Sequence, residues 1–236
     1  MSLNTIEEIA EFIVSDGKGI LAADESNPTC GKRFDSIGVD STEANRRDYR
    51  EMLFRSGGIK DNIGGVILFD ETLRQKAQDG TPLVELIKNQ EALPGIKVDK
   101  GLASFLNESS EESITKGLDG LDKRCKEYFS LGAKFTKWRA VIKISNDIPT
   151  DECIHANMEA LARYAKIVQN NNMVPMVEPE VLMDGDFLFI CTGTGLAPFK
   201  SFLDEMQITQ KFPKRIYLIF LHMLFLNLIK ISQLLV

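Results

Sequence analysis

Cysteine and histidine are scarce in this chain. Four cysteines (Cys30, Cys125, Cys153 and Cys191) and two histidines (His155 and His222) are spread over 236 residues, and no two cysteines form a C-x-x-C pair. That spacing argues against a zinc site and against a disulfide scaffold, and it suits reduced thiols in the cytoplasm. Positive charge is also short: 28 Lys and Arg face 34 Asp and Glu, giving a net charge of -6, and no basic run stands out. A nucleic-acid partner is therefore not expected. Met1 to Glu11 is polar and acidic, without the apolar core of a secretory signal. No repeat at a solenoid period occurs. What remains is ordinary for a packed soluble protein, with 44% hydrophobic and 26% charged residues. An acidic protein that binds a phosphate ester must gather cations locally, so lysines and arginines near strand ends are the residues to follow.

Apolar positions at helical spacing predict a helix over 5–15, carried by Ile6, Ile9, Ala10, Ile13 and Val14. Ile20–Asp24 reads as a short buried strand. A helix over 40–55 follows, with Ser41 or Thr42 as N-cap. Gly64–Phe69 is a second buried strand, residues 81–90 a helix, and Ile96–Lys100 a third strand with basic side chains on one face. Leu118–Leu131 is amphipathic, Ala133–Ile144 is a fourth strand region, and 151–170 is a long helix whose apolar face holds Ile154, Met158, Leu161, Ala162, Ala165 and Val168. Val174–Val177 is a fifth strand. Short apolar strands alternating with helices predict an α/β fold with a parallel sheet.

Charge gathers at the C-terminal strand ends, at Asp24, Lys100, Arg139 and Glu178. In a βα barrel that is the face where chemistry occurs. On a strand, Lys137 and Arg139 point the same way, and two neighbouring cations need anionic company. A phosphorylated sugar supplies it, as would Asp24 and Glu178; a solvated edge strand is the alternative. Glu178 and Glu180 also share a face, and close carboxylates raise one another's pKa toward the range useful in proton transfer. Helix N-terminal acids would look the same. Asp24-Glu25-Ser26 alone reads as a turn or cap, and Lys97, Asp99 and Lys100 as a solvated strand end.

Taken in order, the segments KGILAADES (Lys18–Ser26), EANRRDY (Glu43–Tyr49), IGGVILF (Ile63–Phe69), GIKVDKG (Gly95–Gly101), GLDGL (Gly117–Leu121), KWR (Lys137–Arg139), LARYA (Leu161–Ala165) and VPMVEPE (Val174–Glu180) resemble class I, Schiff-base, fructose-bisphosphate aldolases over about four fifths of the chain. The resemblance implies a (β/α)8 TIM barrel and the reversible cleavage of fructose 1,6-bisphosphate to two triose phosphates, in glycolysis. It implies that Asp24 positions and deprotonates the substrate hydroxyl, that Lys137 is the charged partner near the reacting carbons, and that Glu178 is the general acid/base with Glu180 beside it. Arg33, Arg46, Lys97 and Arg139 match positions that handle phosphate or hold the electrostatic network. The family needs no metal or cofactor and is usually homo-oligomeric.

Only the first five βα units are legible, within residues 1–186. The family's nucleophile is a lysine on the sixth strand, in a stretch resembling GTLLKPNM, and no such stretch occurs; Lys200, Lys211, Lys214 and Lys230 lie in unrelated sequence. An imine mechanism needs that amine, so impaired or absent turnover is expected, a non-enzymatic chimeric or truncated product being the alternative. An open five-strand sheet leaves two edges bare, which predicts aggregation or the need for a partner. Residues 187–236 read as a separate, foreign tail. Leu188–Leu203 resembles the NADP-binding domain of ferredoxin–NADP reductases, with Gly193, Thr194, Gly195 and Pro198 on the pyrophosphate turn and Lys214–Phe220 as the next strand. The match is too short to imply productive cofactor binding. The apolar run from Ile216 is long enough to cross a membrane, but a strand followed by sequence of no family is the favoured reading.

Overall fold

The computed structural model describes residues 3–15, 17–145, 147–182, 187–192 and 216–221. In chain order these form α1 (Ile6–Ile13), β1 (Gly19–Ala23), α2 (Asn27–Asp35), α3 (Glu43–Phe54), α4 (Ile59–Asn62), β2 (Ile63–Leu68), α5 (Asp70–Arg74), α6 (Leu83–Asn89) and β3 (Leu93–Lys97). Next come β4 (Leu102–Ser104), β5 (Ser113–Thr115), α7 (Leu121–Ser130), β6 (Phe135–Lys143), α8 (Asp151–Gln169), β7 (Val174–Leu182), β8 (Phe187–Thr192) and β9 (Ile216–Leu221). A five-stranded sheet has the order β1-β2-β3-β6-β7. β1 with β2, β2 with β3, and β3 with β6 all pair in parallel, as strands joined by helical crossovers must. The chain divides into two compact units, one of Met1–Gly101, Lys116–Trp138 and Glu159–Glu178, the other of Leu102–Thr115, Arg139–Met158 and Pro179–Val236.

The first unit is organised around Phe135. Its ring, fully buried, packs with Ile9, Ile13 and Ile67, and Ile20, Leu93, Val174 and Met176 lie against the same cluster. Room for the ring comes from glycine. A Cβ on Gly95 of β3 would stand 2.3 Å from Phe135 Cζ, and one on Gly65 of β2 would stand 2.9 Å from Cε1. This explains why Leu-Pro-Gly-Ile-Lys, a poor strand sequence by composition, is β3. The expected strand Ile96–Lys100 is accordingly displaced toward the N-terminus, and Lys100 is an exposed residue beyond it. α1 opens with a capping box in which Glu8 N donates to Thr5 Oγ1 (3.2 Å) and Thr5 N to Glu8 Oε2 (3.3 Å). α3 is capped by Thr42, whose Oγ1 accepts from Asn45 N at 3.1 Å. α7 starts three residues later than its apolar pattern, at Leu121, because Gly120 turns the chain with φ +65°.

In the second unit β4 and β5 pair antiparallel, a hairpin without a counterpart in the sequence reading. The loop that joins them ends at Glu112, whose Oε1 accepts from Thr150 N (2.6 Å) and Thr150 Oγ1 (3.0 Å). Thr150 Oγ1 accepts from Cys153 N (3.2 Å), in the manner of an N-cap, so a buried carboxylate anchors the start of α8. β8 and β9 form a parallel pair over six residues, in a sheet of their own. The buried stripe of α8 differs from the expected one. Met158, Leu161 and Val168 are buried, as are Cys153, Asn157 and Tyr164, whereas Ala162 is exposed. Polar side chains with partners at hand replaced alanine on that face: Tyr164 Oη shares a hydrogen bond with Thr136 Oγ1 (2.6 Å). Burial pushes the Cys125 and Cys153 thiols up to about 11, which keeps them protonated and inert near neutral pH.

Candidate active site

Lys137 is the fourth strand's contribution to the sheet's C-terminal end. In register it sits opposite Lys97 of β3. Its Nζ lies 3.1 Å from Asp24 Oδ2 and 3.0 Å from Glu178 Oε2. Asp24 follows the last residue of β1, and Glu178 is on β7, so the partners come from the two outermost strands. β1 and β6 are three strands apart, about 14 Å across a flat sheet. A lysine side chain cannot bridge that distance and also reach β7. The strand ends must converge, and the three charges meet because the sheet curls toward barrel curvature.

The Lys137 and Asp24 side chains are 11% and 10% exposed, while Glu178 is 39% exposed. Burial alone would depress the Lys137 pKa, but the charges of Asp24 and Glu178 outweigh it and the pKa is raised. The ammonium is therefore firmly charged, held between two carboxylates. Two positions further along the same strands, Arg139 Nη1 lies 3.1 Å from Glu180 Oε2, an ion pair of two partly exposed groups.

The remaining candidates are each engaged with an acid. Arg33, 57% exposed, pairs through Nη1 with Glu25 Oε1. Lys97 Nζ lies 2.5 Å from Asp99 Oδ1, which also accepts from Gly101 N (3.1 Å). Arg46 is gripped most fully: Nε and Nη2 donate to the two oxygens of Glu71 at 2.8 and 2.7 Å, and Nη1 donates to Ser41 O at 2.5 Å. Asp24, Lys137 and Glu178 thus form one group, Arg139 and Glu180 another, and Arg46 belongs to a clamp between α3 and α5. Gly193, Thr194, Gly195 and Pro198 lie outside the described residues. Among the described residues no cluster of His, Cys, Asp and Glu is arranged to hold a metal ion.

One residue escaped the sequence reading and another was misjudged by it. Arg50 is 2% exposed, on the inner face of α3 one turn before Phe54. Asp99, expected at a solvated strand end, is 8% exposed, and its Oδ2 is buried without a hydrogen-bond partner among the described residues. The signal for Arg50 was its place four residues before Phe54 on the stripe that faces the core, where an arginine is out of keeping.

Comparison with known proteins shows the family of the chain. The family model for class I fructose-bisphosphate aldolase matches residues 5–192. A probable class 1 fructose-bisphosphate aldolase of Xanthomonas campestris is 53% identical over 186 residues, covering 79% of this chain and 55% of that protein. Cytosolic fructose-bisphosphate aldolase 6 of Arabidopsis thaliana is 54% identical over 176 residues, covering 75% and 49%. The Plasmodium falciparum aldolase, solved with TRAP and a small-molecule inhibitor, superposes with a TM-score of 0.75 at 50% identity, covering 77% of this chain and 53% of that one. The chain spans about half the length of the relatives it matches. With eight ordered motifs, a parallel sheet and a family match over more than three quarters of its residues, this chain belongs to the class I fructose-bisphosphate aldolase family.

Proposed function

We propose that residues 1–186 carry the acid–base half of an aldolase site, contributed by the first five βα units of a TIM barrel, and that the site binds a sugar bisphosphate such as fructose 1,6-bisphosphate. The observation that carries the reading is the ammonium of Lys137 held 3.1 and 3.0 Å from Asp24 and Glu178. In the cleavage direction the C4 hydroxyl loses its proton, the C3–C4 bond breaks, and its electron pair is taken up at the C2 centre. Asp24 is placed to accept that proton. Lys137 stabilises the negative charge that develops on the oxygen. Glu178, the more exposed carboxylate, exchanges protons with substrate and water.

In the family the electron sink at C2 is an imine with the sixth-strand lysine. The family match ends at residue 192, and we read no lysine after it as standing in a matching stretch. We therefore infer that the chain by itself binds the bisphosphate but does not form the imine at the family's rate. Borohydride reduction with fructose 1,6-bisphosphate tests this: the expected mass spectrum shows no lysine adduct. A stable adduct together with normal turnover overturns the reading.

A second reading covers residues 187–236. The parallel pairing of β8 with β9 across residues 193–215 suits a strand–turn–helix–strand fragment like that of a ferredoxin–NADP reductase, with Gly193, Thr194, Gly195 and Pro198 in the turn. The family match runs on to residue 192, so the proposed boundary at 187 overlaps it by six residues. Equilibrium dialysis with NADP tests the fragment, and its expected outcome is no retention, because the rest of such a domain is not recognisable in the sequence. Among the described residues no helix is long and apolar enough to cross a membrane.

A further inference from the structure

Arg50 poses a physical problem. It is almost completely buried on α3, where an apolar side chain would fill the space without the cost of desolvating a charge. Among the described residues neither its Nε nor its Nη1 makes a hydrogen bond, Nη1 being held by charge alone, so the burial is not arranged for the comfort of the guanidinium. What the guanidinium does is hold one residue twice. Nη1 lies 2.9 Å from Glu25 Oε2, and Nη2 donates to the Glu25 backbone oxygen at 3.1 Å. The other carboxylate oxygen, Oε1, is held by Arg33 of α2 and receives the Tyr49 hydroxyl at 3.4 Å. The Tyr49 ring lies 5.1 Å from the Arg50 guanidinium and fixes its plane. Glu25 is thereby fixed in both side chain and main chain, at 9% side-chain exposure.

The residue before Glu25 is Asp24. Glu25 faces Arg33, Tyr49 and Arg50 of α2 and α3, while its neighbour Asp24 meets Lys137, so the two adjacent side chains are turned to different partners and holding one constrains the other. We propose that Arg50 is a positioning residue, which through Glu25 aims the Asp24 carboxylate at Lys137. Buried ion pairs are weak sources of net stability, and their better attested use is to specify one arrangement among several. Here the arrangement specified is the turn that leaves β1, the point where the chain passes from strand to site. The inference rests on the reading of Asp24 as the carboxylate that faces substrate.

The test follows Lys137 in the intact chain and needs no sugar phosphate, so a chain that fails to bind the bisphosphate leaves this result interpretable. Lysine labelling is followed by mass spectrometry at about pH 9, where rate tracks the neutral amine. If Asp24 is released, only Glu178 is left to oppose the effect of burial on the Lys137 pKa, and labelling speeds up. Arg50→Met is expected to label Lys137 severalfold faster than the parent, with Arg50→Lys in between. Leu121→Ala on α7, a core truncation that loosens the fold in general, is expected to lower the melting temperature without speeding Lys137. Should Arg50→Met fail to fold, Glu25→Gln removes the charge but keeps the backbone acceptor, and it too is expected to accelerate labelling. A parental Lys137 rate in a folded Arg50→Met or Glu25→Gln chain, or equal acceleration by Leu121→Ala, overturns the proposal.

Discussion

Replacing Lys137 by methionine keeps the length of the side chain and removes its charge. Asp24, at 10% side-chain exposure, then faces Glu178 with no cation between them. Breaking a buried ion pair from one side typically costs about 3–5 kcal/mol, because the remaining charge stays desolvated. Glu178 is 39% exposed and recovers hydration, which reduces the penalty to about 2–3 kcal/mol. Adding Asp24→Asn should return much of it, since the neutral amide no longer needs a cation. The expected coupling between the two sites is about 1–3 kcal/mol. Urea denaturation of the parent, both single variants and the double variant measures it through the midpoint at constant slope. Strict additivity, within about 0.5 kcal/mol, would refute the reasoning.

The same pair sets a pH dependence whose sign is fixed. The pKa of Lys137 in the folded chain lies above its ordinary 10.5, because Asp24 and Glu178 overcome the opposing effect of burial. Its contribution is complete below the unfolded value and is lost as pH rises through the folded one. The stability difference between parent and Lys137→Met should thus stay level from neutral pH to about 10 and shrink only above that. A difference that disappears by about pH 8 would mean that Lys137 is not held as the geometry indicates.

Gly95→Ala places a methyl group 2.3 Å from the Phe135 ring and is expected to destabilise by about 1–3 kcal/mol in thermal melts, with Phe135→Leu relieving part of the loss. Equal stability of Gly95→Ala and the parent would show that the ring has room to move. Glu112→Ala strips Thr150 of its buried acceptor at the start of α8 and is expected to cost about 1–3 kcal/mol by urea denaturation. A change under about 0.5 kcal/mol would show that water takes over the acceptor role.

The sequence made the alternating architecture plain because its units carry local signals: α1 by apolar spacing, α3 by its N-cap, and β2 by an unbroken apolar run. β3 was misplaced because its identity as a strand is tertiary. Pro94 and Gly95 are poor strand formers, and only the ring of Phe135, forty residues away, accounts for the glycine. The face of α8 was misjudged for a similar reason. Asn157 and Tyr164 are buried because distant partners satisfy them, Asn157 Nδ2 donating to Ser113 O at 2.9 Å and Tyr164 Oη to Met176 O at 3.1 Å. At the site, Asp24 and Glu178 were legible as charges where strands end, and Lys137 as a cation beside Arg139 in need of anionic company. Arg50 was not, because a single arginine in a charged helix reads as solvated until the burial of that helix face is known.

The charges around the site also rank the candidate phosphate ligands. One ammonium between two carboxylates leaves the Lys137 group net negative, so it does not attract a bisphosphate unaided. On the proposed reading the further cations come from Arg33, Arg46 or Lys97, yet each already holds a carboxylate: Glu25, Glu71 and Asp99 respectively. On the proposed reading, phosphate binding is an exchange of one anion for another on a cation already in place. The exchange is easiest where the existing partner is held elsewhere as well. Glu25 keeps Arg50 and Tyr49 if Arg33 turns away, and Asp99 keeps the Gly101 amide if Lys97 does. Arg46 is the opposite case, because its fork spans both oxygens of Glu71 and its third nitrogen holds Ser41. Pulling it away would strand a partly buried carboxylate with only Asn27 Nδ2 at 3.3 Å. On that reading Arg33 and Lys97 are the cations we propose turn to phosphate, and Arg46 is proposed to serve the site by keeping α3, and Arg50 on it, in place.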